Sequence, residues 1–434
     1  MALNKFYSVI LIIAAALSGN SSAKTNVILM ISDGQGFNAL AAANMYSGTT
    51  SKGIYNMGEI AFDVNMAMQT YSAGNDSGRA GHPYDPSQMW NDFKWALRGA
   101  TDSAAAATAM YTGTKTYDHR LSVSTTGQPL TTIFEMAAAM GMATGVVSSV
   151  NFTNATPAAA AAHIENRNDY ADICSQMLDS KLDIIMGPGH PYYDNNGQYR
   201  ALPNYSSVGN SDNWKKITSA YNGFKLIDSN SQFEALAKGK PANTKYIGVA
   251  RVHSTLQQAR SGDVQTVDRK NRNASVPTLA TMAIAAINVL DQDPNGFYIM
   301  IEGGAVDWAN HANQKGRLIE EEMEFIEAVK AVDQWVTQHS SWQQTLLIVT
   351  AYHETGYIWG PQAGQFNALV NNGQGKIPGI NFNTRGHSNS LVPLFAKGAC
   401  ADKFSQHIIA KDNLYGPYVD NTTVFKVMAL NIKK

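Results

Sequence analysis

The stretch TLLIVTAYHETGY, residues 345–357, carries the strongest fold signal in the chain. Thr345 to Ala351 is a short run of apolar and β-branched residues with no helical spacing. It breaks at once into His353, Glu354, Thr355 and Gly356. A run this short, apolar on both sides and closed by polar residues, reads as a buried strand. Strands covered on both faces belong to parallel sheets, whose crossovers lay helices over each side.

Working outward, the same kind of run recurs at 26–32 (NVILMIS), 142–150 (MATGVVSSV), 182–187 (LDIIMG), 245–250 (KYIGVA), 296–302 (GFYIMIE) and 391–398 (LVPLFAKG). Helical spacing lies between them. TDSAAAATAMYTG (101–113) is Ala-rich and ends at Gly113, and 274–292 and 316–338 repeat apolar residues at helical intervals. Strand and helix alternate along the whole chain, which predicts an α/β fold with one doubly wound, mostly parallel central sheet flanked by helices. Two stretches interrupt the rhythm, near 190–230 and 360–386, both rich in Asn and Gly. They read as loop-rich insertions on a single domain spanning 24–434.

The 434 residues are 44% hydrophobic and only 15% charged, with a net charge of −1. That supports a large core and argues against disorder. It offers no basic field for nucleic acid. At the N-terminus, Lys5 precedes an apolar run from Val9 to Leu17, and Ser21-Ser22-Ala23 supplies small residues at a cleavage point. This is the pattern of a secretory signal over 1–23, and it predicts a periplasmic or secreted protein. The apolar run is too short to span a bilayer. In an oxidising compartment Cys174 and Cys400 either pair or stay as separate thiols, and their spacing does not decide between the two.

Ligands in open α/β sheets bind beyond the carboxyl ends of the strands. Read together, those ends carry Asp33, Glu302 with Asp307 and His311, and His353, while His387 precedes the last strand. Each alone has a plain structural explanation, such as an N-cap or a core histidine. As a set they are the Asp and His ligands that suit zinc. Asp307 and His311 are four apart, so one helical face presents both. Ser103 opens the Ala-rich helix, where backbone N–H groups favour a phosphate. Its hydroxyl needs a base or a metal, and no His neighbours it in sequence. Arg167 is suited to clamp an oxyanion. The Thr156 hydroxyl suits a hard cation such as magnesium.

The blocks DGQG (33–36), TDSAAAATAM (101–110), NATPAA (154–159) with Asn166-Arg167, EGGAVDWANH (302–311), TAYHETG (350–356) and GHSNSLVP (386–393) resemble the alkaline phosphatase family, in order and over nearly the whole mature chain. The resemblance implies hydrolysis of small phosphate monoesters through a phosphoserine at Ser103, two Zn²⁺ ions and one Mg²⁺ ion, and a homodimer. In its terms Asp307, His311 and His387 look like the first zinc set, Asp33 and His353 like the second, and Asp33, Thr156 and Glu302 like the magnesium set. Arg167 looks like the phosphate clamp and Asp102 like its hydrogen-bonding partner.

Three positions depart from the pattern. Asn154 stands near the magnesium set where other members carry Asp or His, and Trp308 stands where members vary among Lys, His and Trp. Tyr352 stands where the family has a zinc-ligating Asp, which removes an ionised ligand from the second zinc. A low-activity or non-catalytic metal- or phosphate-binding homologue is therefore one alternative. A phosphodiesterase or sulfatase of the same fold is another, although the chain lacks the sulfatase C/S-x-P-x-R pattern.

Overall fold

The computed structural model describes residues 24–49, 53–239 and 241–432. The expected signal segment, 1–23, lies outside them. In chain order the strands are β1 (Thr25–Ser32), β2 (Val64–Gln69), β3 (Ala143–Ser148), β4 (Ile184–Gly187), β5 (Lys225–Ile227), β6 (Tyr246–Val249), β7 (Gly296–Gly303) and β8 (Thr345–Thr350). Four two-residue strands follow, β9 (Glu354–Thr355), β10 (Ile358–Trp359), β11 (Asn381–Phe382) and β12 (His387–Ser388). The chain then adds β13 (Val392–Gly398), β14 (Ala410–Asp412) and β15 (Gly416–Asp420).

The central sheet has 11 strands in the order β14-β15-β2-β13-β8-β1-β7-β3-β4-β6-β5. From β8 to β5 all neighbours run parallel. The sheet is mostly parallel, as expected, and β13 departs from the majority: it runs antiparallel to both β8 and β2. Its run is as apolar as the others, and strand direction leaves no mark on composition. Four further strands, β2, β5, β14 and β15, escape sequence reading. β2 (VNMAMQ) lacks the β-branched density of the central runs, and the other three are short and near the sheet edges.

Every residue of β1, β7 and β8 is buried, as helices on both faces require. One face is covered by the helices Ser103–Thr112, Ile133–Ala139, Tyr170–Asp179 and Thr422–Ala429. The helices Phe37–Ser47, Asn230–Lys238, Leu279–Leu290 and Lys315–His339 cover the other. Each apolar layer places the central strands out of water, at roughly 25 cal/mol per Å² of apolar surface removed.

The region near 190–230 is not loop throughout. It holds the helix Ser211–Thr218, which buries Trp214 and Ile217, and the edge strand β5. The region 360–386 is mostly irregular, tied down by β11 pairing with β10. Cys174 and Cys400 are separate thiols. No helix among the described residues is long and apolar enough to cross a membrane.

The register brings the carboxyl ends of β8, β1, β7 and β3 level. Ile31 lies beside Glu302 and Thr350, and Ser148 beside Glu302. Asp33 and His353 therefore emerge one and three residues beyond adjacent strands. Gly34 makes the turn possible: its φ is +75°, and an added Cβ would lie 2.8 Å from the Asp307 Cα. Only glycine fits a left-handed backbone pressed against a neighbouring chain.

Candidate active site

The helix Ala305–His311 starts directly after β7 and carries Asp307 and His311 on its inner face. His387 arrives from β12 on the far side. The His311 Nε2 is 3.1 Å from the His387 Nε2 and 3.2 Å from Asp307 Oδ2, and the His387 Nε2 is 3.5 Å from Asp307 Oδ1. Both imidazoles are held from behind. His311 Nδ1 donates to the Arg385 carbonyl at 2.5 Å, and His387 Nδ1 to the Thr101 carbonyl at 2.8 Å. A carbonyl only accepts, so each Nδ1 carries a proton and each Nε2 is the atom turned inward, toward Asp307. Thr355 Oγ1 donates to Asp307 Oδ1 at 2.5 Å.

His353 sits between this cluster and the nucleophile candidate. Its ring stacks on His387 with centroids 3.6 Å apart. Its Nε2 is 3.1 Å from Ser103 Oγ and 3.3 Å from Asp33 Oδ1. Burial, reinforced by the neighbouring His387, holds the His353 imidazole in its neutral form. One atom each of Asp307, His353 and His387 lie within 4.8 Å of one another.

Ser103 is the first residue of its helix, and Asp102 is the N-cap, accepting from the Ala105 N–H at 3.0 Å. The second Asp102 oxygen accepts from Arg167 Nη1 at 3.0 Å. Arg167 Nη2 donates to Asn154 Oδ1 at 3.2 Å. Asn154, expected beside magnesium, thus holds the arginine. It also caps the short helix Ala155–Ala158, with Pro157 at its third position. Burial opposes the charge of Asp102, yet Arg167 together with the Ala105 and His119 N–H groups outweighs it, and the carboxyl stays below its usual range. Conversely, burial would weaken the Arg167 charge, and Asp102 more than restores it. The guanidinium, Trp308 and His311 line an open cleft of about 610 Å³, with His119, Asn168, Tyr170 and Gln258.

Three carboxylates crowd this sheet edge. Burial pushes the Asp33 carboxyl well above its ordinary range, with Asp307 and Glu302 adding to the shift. Burial does the same to Glu302. Asp307 moves the other way: burial would raise it, but hydrogen bonds from His311 and His387 outweigh that. Asp33 Oδ1 is buried and finds no hydrogen-bond partner among the described residues. Crowded buried carboxyls of this kind hold their protons unless a cation sits beside them to favour the charged form.

A family model described as alkaline phosphatase matches residues 24–376, most of the chain. The chain belongs to the alkaline phosphatase family. Alkaline phosphatase 4 of Bacillus subtilis is 30% identical over 351 residues, covering 79% of this chain and 64% of that protein. The alkaline phosphatase of Escherichia fergusonii is 26% identical over 429 residues, covering 89% and 83%. The solved alkaline phosphatase of the Antarctic bacterium TAB5 superposes with a TM-score of 0.65 at 25% identity, over 94% of this chain and 98% of that one. A cold-active phosphatase of Shewanella sp. gives 0.68 at 23%, over 94% and 100%. The chain spans about two thirds of the length of the Bacillus relative.

The alkaline phosphatase family is metal-dependent, and the donor atoms gathered here suit a cation: one each from Asp307, His353 and His387 converge. Inward-facing Nε2 atoms beside Asp307 offer three ligand atoms to one cation, and Asp33 with His353 and Ser103 offers a second, three-ligand set. The magnesium set does not fit in the same way. Thr156 and Glu302 do converge, but the Tyr352 phenol lies between them. Its oxygen is 2.5 Å from Thr156 Oγ1, and it donates to Glu302 Oε1 at 3.3 Å. Ser148 Oγ donates to the other Glu302 oxygen at 2.5 Å.

Sequence reading missed Ser148, Thr355 and His119. His119 lies beside Asp102, and its carbonyl accepts from the Arg167 N–H at 2.9 Å. Its backbone is left-handed, φ +73°. No local pattern marks such a residue, because the fold and not the motif brings it to the arginine.

Proposed function

We propose that this protein hydrolyses phosphate monoesters in two displacements at phosphorus. In the first, Ser103 Oγ forms a bond to phosphorus while the ester oxygen departs with its electron pair. In the second, water attacks the phosphoserine, releasing inorganic phosphate and restoring the serine. The observation that carries this reading is Ser103 Oγ at a helix N-terminus, 3.1 Å from His353 Nε2, beside an arginine held by a buried carboxylate.

Each side chain has a task. The N-terminal amides of the serine helix favour the phosphate dianion. Arg167 offers its fork to two phosphate oxygens, and Asp102 and Asn154 orient it beforehand. His311 and His387 turn their Nε2 atoms inward because the Arg385 and Thr101 carbonyls hold their Nδ1 protons, and each Nε2 can ligate once it gives up its own proton. Zinc held by Asp307, His311 and His387, and a second ion held by Asp33, His353 and Ser103, would supply the positive charge that a serine alkoxide, an attacking water and a departing oxygen require. Trp308 walls the cleft where the ester group leaves. The family resemblance adds a secreted or periplasmic setting and a homodimer, the latter checked by sedimentation.

The test is turnover of p-nitrophenyl phosphate by the zinc-loaded chain, beside a phosphate diester and an aryl sulfate. The monoester should be the fastest by far, and Ser103→Ala should lose about 10³-fold or more of the rate. Faster turnover of the diester or the sulfate would overturn the reading.

A further inference from the structure

Tyr352 has no counterpart in the resemblance, and its environment assigns it a role. The side chain is fully buried, 0% exposed. Its oxygen contacts Thr156 Oγ1 at 2.5 Å and Glu302 Oε1 at 3.3 Å, two of the three groups expected to hold magnesium. Both Glu302 oxygens are thereby engaged by hydroxyl donors, Tyr352 on one and Ser148 on the other. We propose that the Tyr352 phenol takes the place of the third cation, so that this chain holds metal only at the two zinc sets. The inference rests on reading the cluster as a phosphatase metal site.

The physical reason is space and coordination. Magnesium demands a near-octahedral shell at about 2.0–2.1 Å and keeps several of its waters. A buried aromatic ring reaching Thr156 and Glu302 fills the volume those waters need. A phenol can satisfy the same oxygens at ordinary hydrogen-bond lengths, without a dianionic ligand set. The replacement exchanges a divalent charge for a neutral donor. Tyr352 is thus a positioning residue: it holds Glu302 and Thr156 in place and gives the site no response to magnesium.

Metal counting tests this on the full purified chain. After equilibration with excess zinc and magnesium and removal of unbound ions, mass spectrometry should find about two zinc ions per chain. Magnesium should be far below one, and millimolar magnesium should leave the thermal midpoint unmoved. Tyr352→Asp should acquire stoichiometric magnesium, with affinity raised by about 10- to 100-fold or more. If that variant does not fold, Tyr352→Phe serves instead: it should melt lower than the parent, because Glu302 Oε1 loses its donor, and should still take no magnesium. Stoichiometric magnesium in the unaltered chain overturns the proposal. So does a folded Tyr352→Asp chain that takes none. Absence of zinc would overturn the phosphatase reading as well, which separates the two failures.

Discussion

Trp308 and Arg167 share one cleft, and only one of them is charged. A phosphate product held by Arg167 therefore meets an uncharged wall at 308. Trp308→Lys should tighten product inhibition by inorganic phosphate about 2- to 10-fold, as a single added charge in a water-filled cleft would. An unchanged inhibition constant would remove Trp308 from the phosphate site. Arg167 is the converse case. Arg167→Ala should raise KM for p-nitrophenyl phosphate by about 10-fold or more, since a charged hydrogen bond contributes roughly 1.5–3 kcal/mol. These single residues were legible in the sequence because each sits in a recognisable block. Asn154 was legible as a departure but not in its role. Its Oδ1 faces Arg167, and that depends on how the chain returns from Asn154 to Arg167 across the serine helix.

At the scale of elements, the helix Ser103–Thr112 is set by its cap. Asp102 closes the first turn through one oxygen and anchors Arg167 through the other. Asp102→Asn keeps a good N-cap, whereas Asp102→Ala removes it, so thermal denaturation should show the alanine variant less stable by about 1 kcal/mol. Phosphate affinity should fall in both, because both leave the arginine without its carboxylate. Equal stability of the two would mean that the cap contributes nothing. The long helix Lys315–His339 carries a different strain. Burial pushes the Glu322 carboxyl up to about 8. A raised carboxyl binds its proton in the native state across the interval from about 4.5 to 8 where the unfolded chain has lost it. Stability therefore falls as pH rises through that interval. Glu322→Gln removes the fall: its melting temperature should exceed the parent's at pH 9 and approach it at pH 5. The helix itself was legible from its period, and the edge strands β5, β14 and β15 were not. Such strands bury little of their own surface, so their sequences carry little apolar pattern to read.

For the whole molecule, the sheet gathers Asp33, Glu302 and Asp307 at one edge, where burial holds protons on the first two that a bound cation would displace. Removing metal with a chelator should lower the unfolding free energy by about 3–4 kcal/mol relative to protein in excess zinc, the linkage expected when ligand exceeds its dissociation constant 100- to 1,000-fold. Calorimetry of chelated and zinc-restored protein measures it, and coincident melts would exclude a metal-braced fold. The sequence alone determined the α/β alternation, because burial on both faces writes itself into strand composition. It also determined the set of polar residues at the strand ends, because the chain must leave the sheet there. Only the tertiary structure decided the direction of β13 and the aim of the Tyr352 phenol. Strand direction is set by which neighbours a crossover reaches. The phenol is aimed by Thr156, in the short helix after β3, and by Glu302, within β7, both distant in sequence. What stands in the sequence as a departure from the family resemblance is, in the fold, a hydroxyl directed at Thr156 and Glu302.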